Sequence, residues 1–298
     1  MIDMEVYVYI GLHKTGSTYL QKNFFPLYKN ACGYVSLRHE ARSFLNYVVN
    51  VNDIEFDPEN ARDILKEDLE AIGFTNNKIV FCDEILCGAP WDNAKDRVRY
   101  VNRLVDIFTD PCFIVAFRKQ EDLVESLYNE YIKKGGSASL EEFLHYDRLA
   151  LKFSGKFYLD FGLYYSYIKN LVGEDNVLCL YYEDLVLSPI DYFDDVSSFI
   201  GFELDEKIHS IISKRSNPSI SGLNALFLRY INKLCRSERQ PFLLFPHFVQ
   251  KVFLKLLIAA PRFEVISKEE LIREFCAQPK KNNVILPGYS ANLSKLGY

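Results

Sequence analysis

The sequence predicts an α/β fold with a central, mostly parallel sheet and a C-terminal helical lobe, on three observations. Short apolar runs rich in β-branched and aromatic residues stand at 5–10 (EVYVYI), 78–82 (KIVFC), 112–117 (CFIVAF) and 176–182 (NVLCLYY). Helical patterns at 17–29, 59–72, 94–108 and 160–172 separate them, so the strands are joined by crossovers and the sheet is covered on both faces. After Gly201 and the Asn217-Pro218 break the alternation stops, and 222–276 reads as helical, interrupted at Pro241, Pro246 and Pro261. With 298 residues, 49% of them hydrophobic, the chain can bury a core of ordinary size. We expect one domain, 1–298, with 222–276 as a lobe within it.

Composition narrows the partners. A formal net charge of -5 gives no overall field for polyanions, so nucleic acid is not expected. The seven cysteines, at 32, 82, 87, 112, 179, 235 and 276, form no C-x-x-C pair, and several lie in apolar runs. Buried thiols fit this pattern better than disulfides or a zinc site. The opening MIDMEVYVYIGL lacks a basic region ahead of an uninterrupted apolar one and reads as a first strand rather than a signal peptide. No uncharged apolar run is long enough to span a bilayer, and we expect a cytoplasmic protein without a transmembrane segment. In 241–263, apolar residues recur at helical spacing beside Lys251 and Lys255, which suits lobe packing or a peripheral membrane contact.

In chain order, the strand at 5–10 runs into GLHKTGST (11–18) and then a helix whose Leu20, Phe24 and Leu27 share a side. The segment 34–50 reads as a short extended piece followed by a helix near the mouth of that turn. GGSAS at 135–139 opens a helix at Ser139, with Glu142 spaced for a capping box.

A strand, a glycine-bounded turn of phosphate size and a helix make the first βα unit P-loop-like. A Walker A loop, G-x-x-x-x-G-K-[ST], has its lysine directly after the second glycine. Here Gly11 and Gly16 keep that separation, but Ser17 takes the lysine position and Lys14 lies two residues before Gly16. Backbone N–H groups at the helix start, with the Thr15, Ser17 and Thr18 hydroxyls, still suit a phosphate. Arg118 ends the strand at 112–117, where it can clamp a phosphate or pair with Glu121 or Asp122, and Ser126 follows two turns later. Asp83 and Glu84 follow the strand at 78–82, on the edge where α/β clefts open. Adjacent residues there point in opposite directions, so only one acid is expected to face a substrate. His39 in LRHEAR is a competing base, and His13 orders the turn or touches an incoming group.

Taken in order, these segments resemble the sulfotransferases that use 3'-phosphoadenylyl sulfate (PAPS), in their bacterial or carbohydrate-modifying branch. HKTGST (13–18) is similar to the family's 5'-phosphosulfate loop, Arg118 and Ser126 to its R-x7-S pair for the 3'-phosphate, and YYEDL (181–185) to its Y-E-D-L segment. KRSNPSISG (214–222) is similar to its R-x-N-x-S closure through Arg215, Asn217 and Ser219, and the ending ANLSKLGY also resembles it. The R-K-G-x-x-G-x-W-K loop of the cytosolic small-molecule branch is missing. The resemblance implies a P-loop-like three-layer fold and sulfuryl transfer from PAPS to a hydroxyl of a small-molecule or oligosaccharide acceptor, a saccharide or glycolipid, without a metal. Lys14, Ser17 and Thr18 would hold the phosphosulfate, and Gly11, Thr15 and Gly16 the turn. Arg118, Ser126, Arg215, Asn217 and Ser219 would hold the rest of the nucleotide, leaving adenosine 3',5'-bisphosphate (PAP) as product. It also implies that the base is a glutamate after such a strand, which selects Glu84 over Asp83. An ATP-dependent small-molecule kinase and a noncatalytic nucleotide-binding protein are the alternatives.

Overall fold

The computed structural model describes residues 4–91, 94–145, 158–212, 222–234, 251–256, 272, 273 and 276. Five strands form the sheet: β1 (Glu5–Gly11), β2 (Tyr34–Val35), β3 (Lys78–Cys82), β4 (Cys112–Phe117) and β5 (Val177–Tyr181). Their order is β2-β3-β1-β4-β5, and every pairing is parallel. The chain leaves β1 towards β2 and β3 on one side, whereas β4 leads to β5 on the other. The carboxyl ends of β1 and β4 therefore flank the point where strand order reverses, where clefts open in such sheets.

Both faces of the sheet are buried, which explains the unbroken apolar runs. On one face Tyr7 and Tyr9 of β1 meet Leu20, Phe24, Phe25, Tyr192 and Phe193, with Phe24 and Phe193 stacked at 4.5 Å. On the other, Phe81 of β3 lies 5.7 Å from Phe44, and Phe117 of β4 stacks 4.9 Å from Phe161. The aromatic residues named here serve the core before any ligand.

The helix after β1 is α-helical at Ser17–Tyr19, π-helical at Leu20–Phe24 and α-helical again at Phe25–Leu27. Pro26 accounts for the middle: it has no N–H to donate and its ring crowds the carbonyl four residues earlier, so the ladder slips to a wider turn there. Elsewhere local signals set the ends. Asp57 caps the helix Pro58–Ala71 and Asp160 caps Phe161–Val172, and Gly201 at φ 78 closes Pro189–Ile200.

The chain divides into two compact units. The first holds Met1–Arg118, Lys156–Arg215 and Lys280–Tyr298, and the second Lys119–Gly155 and Ser216–Pro279. In the second, Asn232 Nδ2 donates to the carbonyls of Ile132 and Gly136 at 2.7 and 2.8 Å, fastening the helix Gly222–Asn232 to the end of Gln120–Lys133. The expected capping box is present: Glu142 Oε2 accepts from Ser139 N at 2.6 Å and Ser139 Oγ from Glu142 N at 3.1 Å. Of the 241–263 stretch only 251–256 is described, as helix, with Val252 and Leu256 exposed. No helix among the described residues is long and apolar enough to cross a membrane, and no cluster of His, Cys, Asp and Glu there is placed to hold a metal ion.

Candidate active site

The β1 ladder ends where Leu12 N donates to Ala116 O at 3.1 Å, and the chain then turns. Leu12 O accepts from both Thr15 N at 3.3 Å and Thr15 Oγ1 at 2.6 Å, so the fully buried Thr15 spends its hydroxyl inside the turn. Lys14 takes the left-handed conformation with φ 69, as does Gly16 with φ 87. For a lysine this backbone costs about 1 kcal/mol, the kind of strain that gathers at functional turns. Gly16 is also the helix N-cap, with no side-chain cap and no acid in the first turn. The first N–H groups of a helix lack intrahelical acceptors, so this end suits an anion.

Both glycines of the turn leave little room for a side chain. A Cβ on Gly11 would lie 2.6 Å from the Tyr9 ring and 2.7 Å from Thr15 Oγ1, and one on Gly16 would lie 2.7 Å from Leu185 Cδ2. The Tyr182–Leu185 segment after β5 thus braces the turn.

Ser17, which stands where a Walker A loop has lysine, donates its hydroxyl to Glu84 Oε2 at 2.9 Å. The two acids after β3 separate as alternation requires. Asp83 is 2% exposed, caps the 3₁₀ turn Glu84–Cys87 through Ile85 N, and is gripped by Arg38 through Nε at 2.5 Å and Nη2 at 2.8 Å. Glu84 keeps its side chain 31% exposed, beside the loop. His39 is exposed, one residue beyond Arg38. The residue of the 34–50 segment that reaches the site is thus Arg38, which no motif marked.

At the end of β4, Arg118 Nη1 donates to Lys14 O at 3.0 Å, and its guanidinium lies 4.6 Å from the Tyr182 ring centroid. Its Nε is buried without a hydrogen-bond partner among the described residues. His13 is embedded in structure: its backbone N donates to Tyr158 Oη at 3.1 Å and its Nδ1 lies 3.3 Å from Cys87 Sγ. Burial pushes both the Cys87 thiol and the Tyr158 phenol up. His13 therefore ties the loop to the Glu84–Cys87 turn.

The first unit thus brings together Gly11, Lys14, Thr15, Gly16, Ser17, Glu84 and Arg118 at one edge of the sheet, with Thr18 half-buried in the first helical turn. Ser126 lies in Gln120–Lys133 of the second unit. Arg215, Asn217 and Ser219 lie outside the described residues.

No family model matches the chain, and no curated protein does. Among solved structures, a sulfotransferase from Alicyclobacillus acidocaldarius is similar over 89% of this chain and 98% of its own, at 14% identity and a TM-score of 0.48. The sulfotransferase domain of the curacin biosynthetic pathway covers 93% of this chain and 99% of its own at 11% identity and 0.42. Mouse sulfotransferase SULT7A1 in complex with PAP covers 99% and 83% at 12% identity and 0.39.

Proposed function

We propose that the chain is a PAPS-dependent sulfotransferase acting on an acceptor hydroxyl of a saccharide or glycolipid. The observation that carries this reading is the meeting of Glu84 Oε2 with Ser17 Oγ at 2.9 Å, a carboxylate beside a phosphate-sized turn that lacks the Walker lysine. The fit to PAPS is supported by the uncapped, acid-free helix start for the phosphosulfate end and, for the 3'-phosphate, by the Arg118 Nε, which has no hydrogen-bond partner among the described residues. When bound, PAPS would supply the sulfuryl group and depart as PAP.

In this reading Gly11, Thr15 and Gly16 shape the turn, while Lys14, Ser17, Thr18 and the first helical N–H groups hold the phosphosulfate end. Lys14 and those N–H groups would supply positive charge to the bridging oxygen as it gains charge, and would so favour the transition state over the ground state. Arg118 would hold the 3'-phosphate, and by the motif resemblance Ser126, Arg215, Asn217 and Ser219 are assigned to the same nucleotide. Glu84 would accept the proton of the acceptor hydroxyl as the sulfuryl group passes to that oxygen and PAP leaves.

The reading is tested by following PAP release from PAPS across a panel of alkyl glycosides and free saccharides. Turnover by the wild-type protein and a fall in kcat of about 10²- to 10⁴-fold in Glu84→Gln, with PAP affinity kept, are expected. ADP formation from ATP and magnesium would identify a kinase instead. PAP binding without turnover would leave a noncatalytic nucleotide-binding protein.

A further inference from the structure

Glu84 opens a turn of four residues, Glu84–Cys87, at the end of β3, and its side chain is 31% exposed. A general base so placed has several rotamers open to it, and a misplacement of about 1 Å can cost ~10²-fold in rate. Two side chains bracket the carboxylate. Ser17 Oγ holds Oε2 at 2.9 Å, and Arg38 Nη2 lies 4.0 Å from Oε1.

Arg38 has a side chain that is 53% exposed, and what holds it is its backbone turn and a two-point pairing. It follows β2 in a tight turn in which Ser36 O accepts from the N–H groups of His39, Glu40 and Ala41, at 3.2, 2.7 and 3.1 Å. Glu40 Oε2 closes the same turn on Ser36 N at 2.9 Å. Because Tyr34 and Val35 of β2 pair with Val80 and Phe81 of β3, this turn opens on the edge that carries Asp83. The guanidinium then takes both Asp83 oxygens, while Oδ1 also accepts from Ile85 N at 2.9 Å. The Asp83 bond holds Arg38 more firmly in its charged form, above its ordinary range.

We propose that Arg38 is a positioning residue for Glu84: its fork fixes Asp83, the cap of the turn that Glu84 opens, and so aims the Glu84 carboxylate at the loop. The inference rests on the sulfotransferase reading in giving Glu84 the proton-accepting role. A cation that only neutralised a buried Asp83 would bear on stability and not on Glu84.

Steady-state kinetics with PAPS and octyl glucoside, read as PAP release per PAP-binding site, separate the two. Arg38→Met should lower kcat about 10- to 100-fold with the KM for PAPS kept within about twofold. Arg38→Lys should recover little, since an ammonium cannot reproduce the planar fork. In a Glu84→Gln background, Arg38→Met should cost less than about twofold more, because the two residues act as one unit. Equal losses in both backgrounds, a raised KM with kcat unchanged, or full recovery by lysine overturns the inference. Wild-type protein that neither binds PAP nor releases it overturns the sulfotransferase reading itself. Independently of turnover, a crystal structure of Arg38→Met should show Glu84 withdrawn from the Ser17 hydroxyl. Retention of the 2.9 Å contact in that variant contradicts the positioning role.

Discussion

At Lys14 the backbone and the side chain can be tested separately. Its φ of 69 is strained for any residue with a Cβ. Lys14→Gly should therefore raise unfolding stability by about 0.5–1 kcal/mol in denaturant melts while losing turnover. Lys14→Met keeps the strain and should lose about 10²- to 10³-fold in kcat through the missing charge alone. The places of Glu84 and Arg118 just after strand ends, and of Lys14 in the turn after β1, were readable in the sequence because apolar runs fix those strand ends. Arg38 was not, since its strand is only Tyr34–Val35 and it meets Asp83 across 45 positions of sequence. The spacing of an LRHEAR segment cannot show that the arginine, though 53% exposed, reaches Asp83.

Among elements, β1 and the helix Pro189–Ile200 are joined by a buried hydroxyl pair, Tyr9 Oη and Tyr192 Oη at 2.7 Å. Burial pushes both phenols well above their ordinary range, so both remain protonated across the neutral range. Tyr9→Phe leaves one buried hydroxyl unmatched and should cost about 1–3 kcal/mol in urea melts, whereas the double change with Tyr192→Phe should cost less than the single one. Gly16→Ala meets both a φ of 87 and Leu185, and should cost about 1–3 kcal/mol. The four longer strands were readable because the sheet is largely buried on both faces and each run is apolar apart from a charged residue at the start of β1 and β3. The π-helical stretch Leu20–Phe24 was not, because one wide turn leaves the spacing of the apolar positions almost unchanged.

For the whole molecule, the parallel order β2-β3-β1-β4-β5 gathers the first turn, the Asp83-Glu84 pair and Arg118 at one edge. That gathering is topological, so the order of segments in the sequence anticipated it although no single segment contains it. The buried thiols carry a pH consequence. Burial holds Cys32 up to about 11 against an ordinary value of 9.0, and half-buried Cys179 likewise to about 11. A thiol raised in the folded state contributes stability that is complete below its ordinary value and is lost as pH climbs to the folded one. Urea midpoints should therefore fall between pH 9 and 11. Iodoacetamide at neutral pH should spare Cys32 in the folded protein and label it in urea.

Thermal unfolding of the full chain with PAP, set beside ATP plus magnesium, tests the central claim most directly. A ligand at about 100 times its Kd adds ~2.7 kcal/mol to the native state, which raises the melting temperature by several degrees in a protein of this size. PAP should give that rise, ATP with magnesium a smaller one, and Arg118→Ala should diminish the PAP response. A larger response to ATP with magnesium, abolished in Lys14→Met, would contradict the sulfotransferase reading and favour phosphoryl transfer.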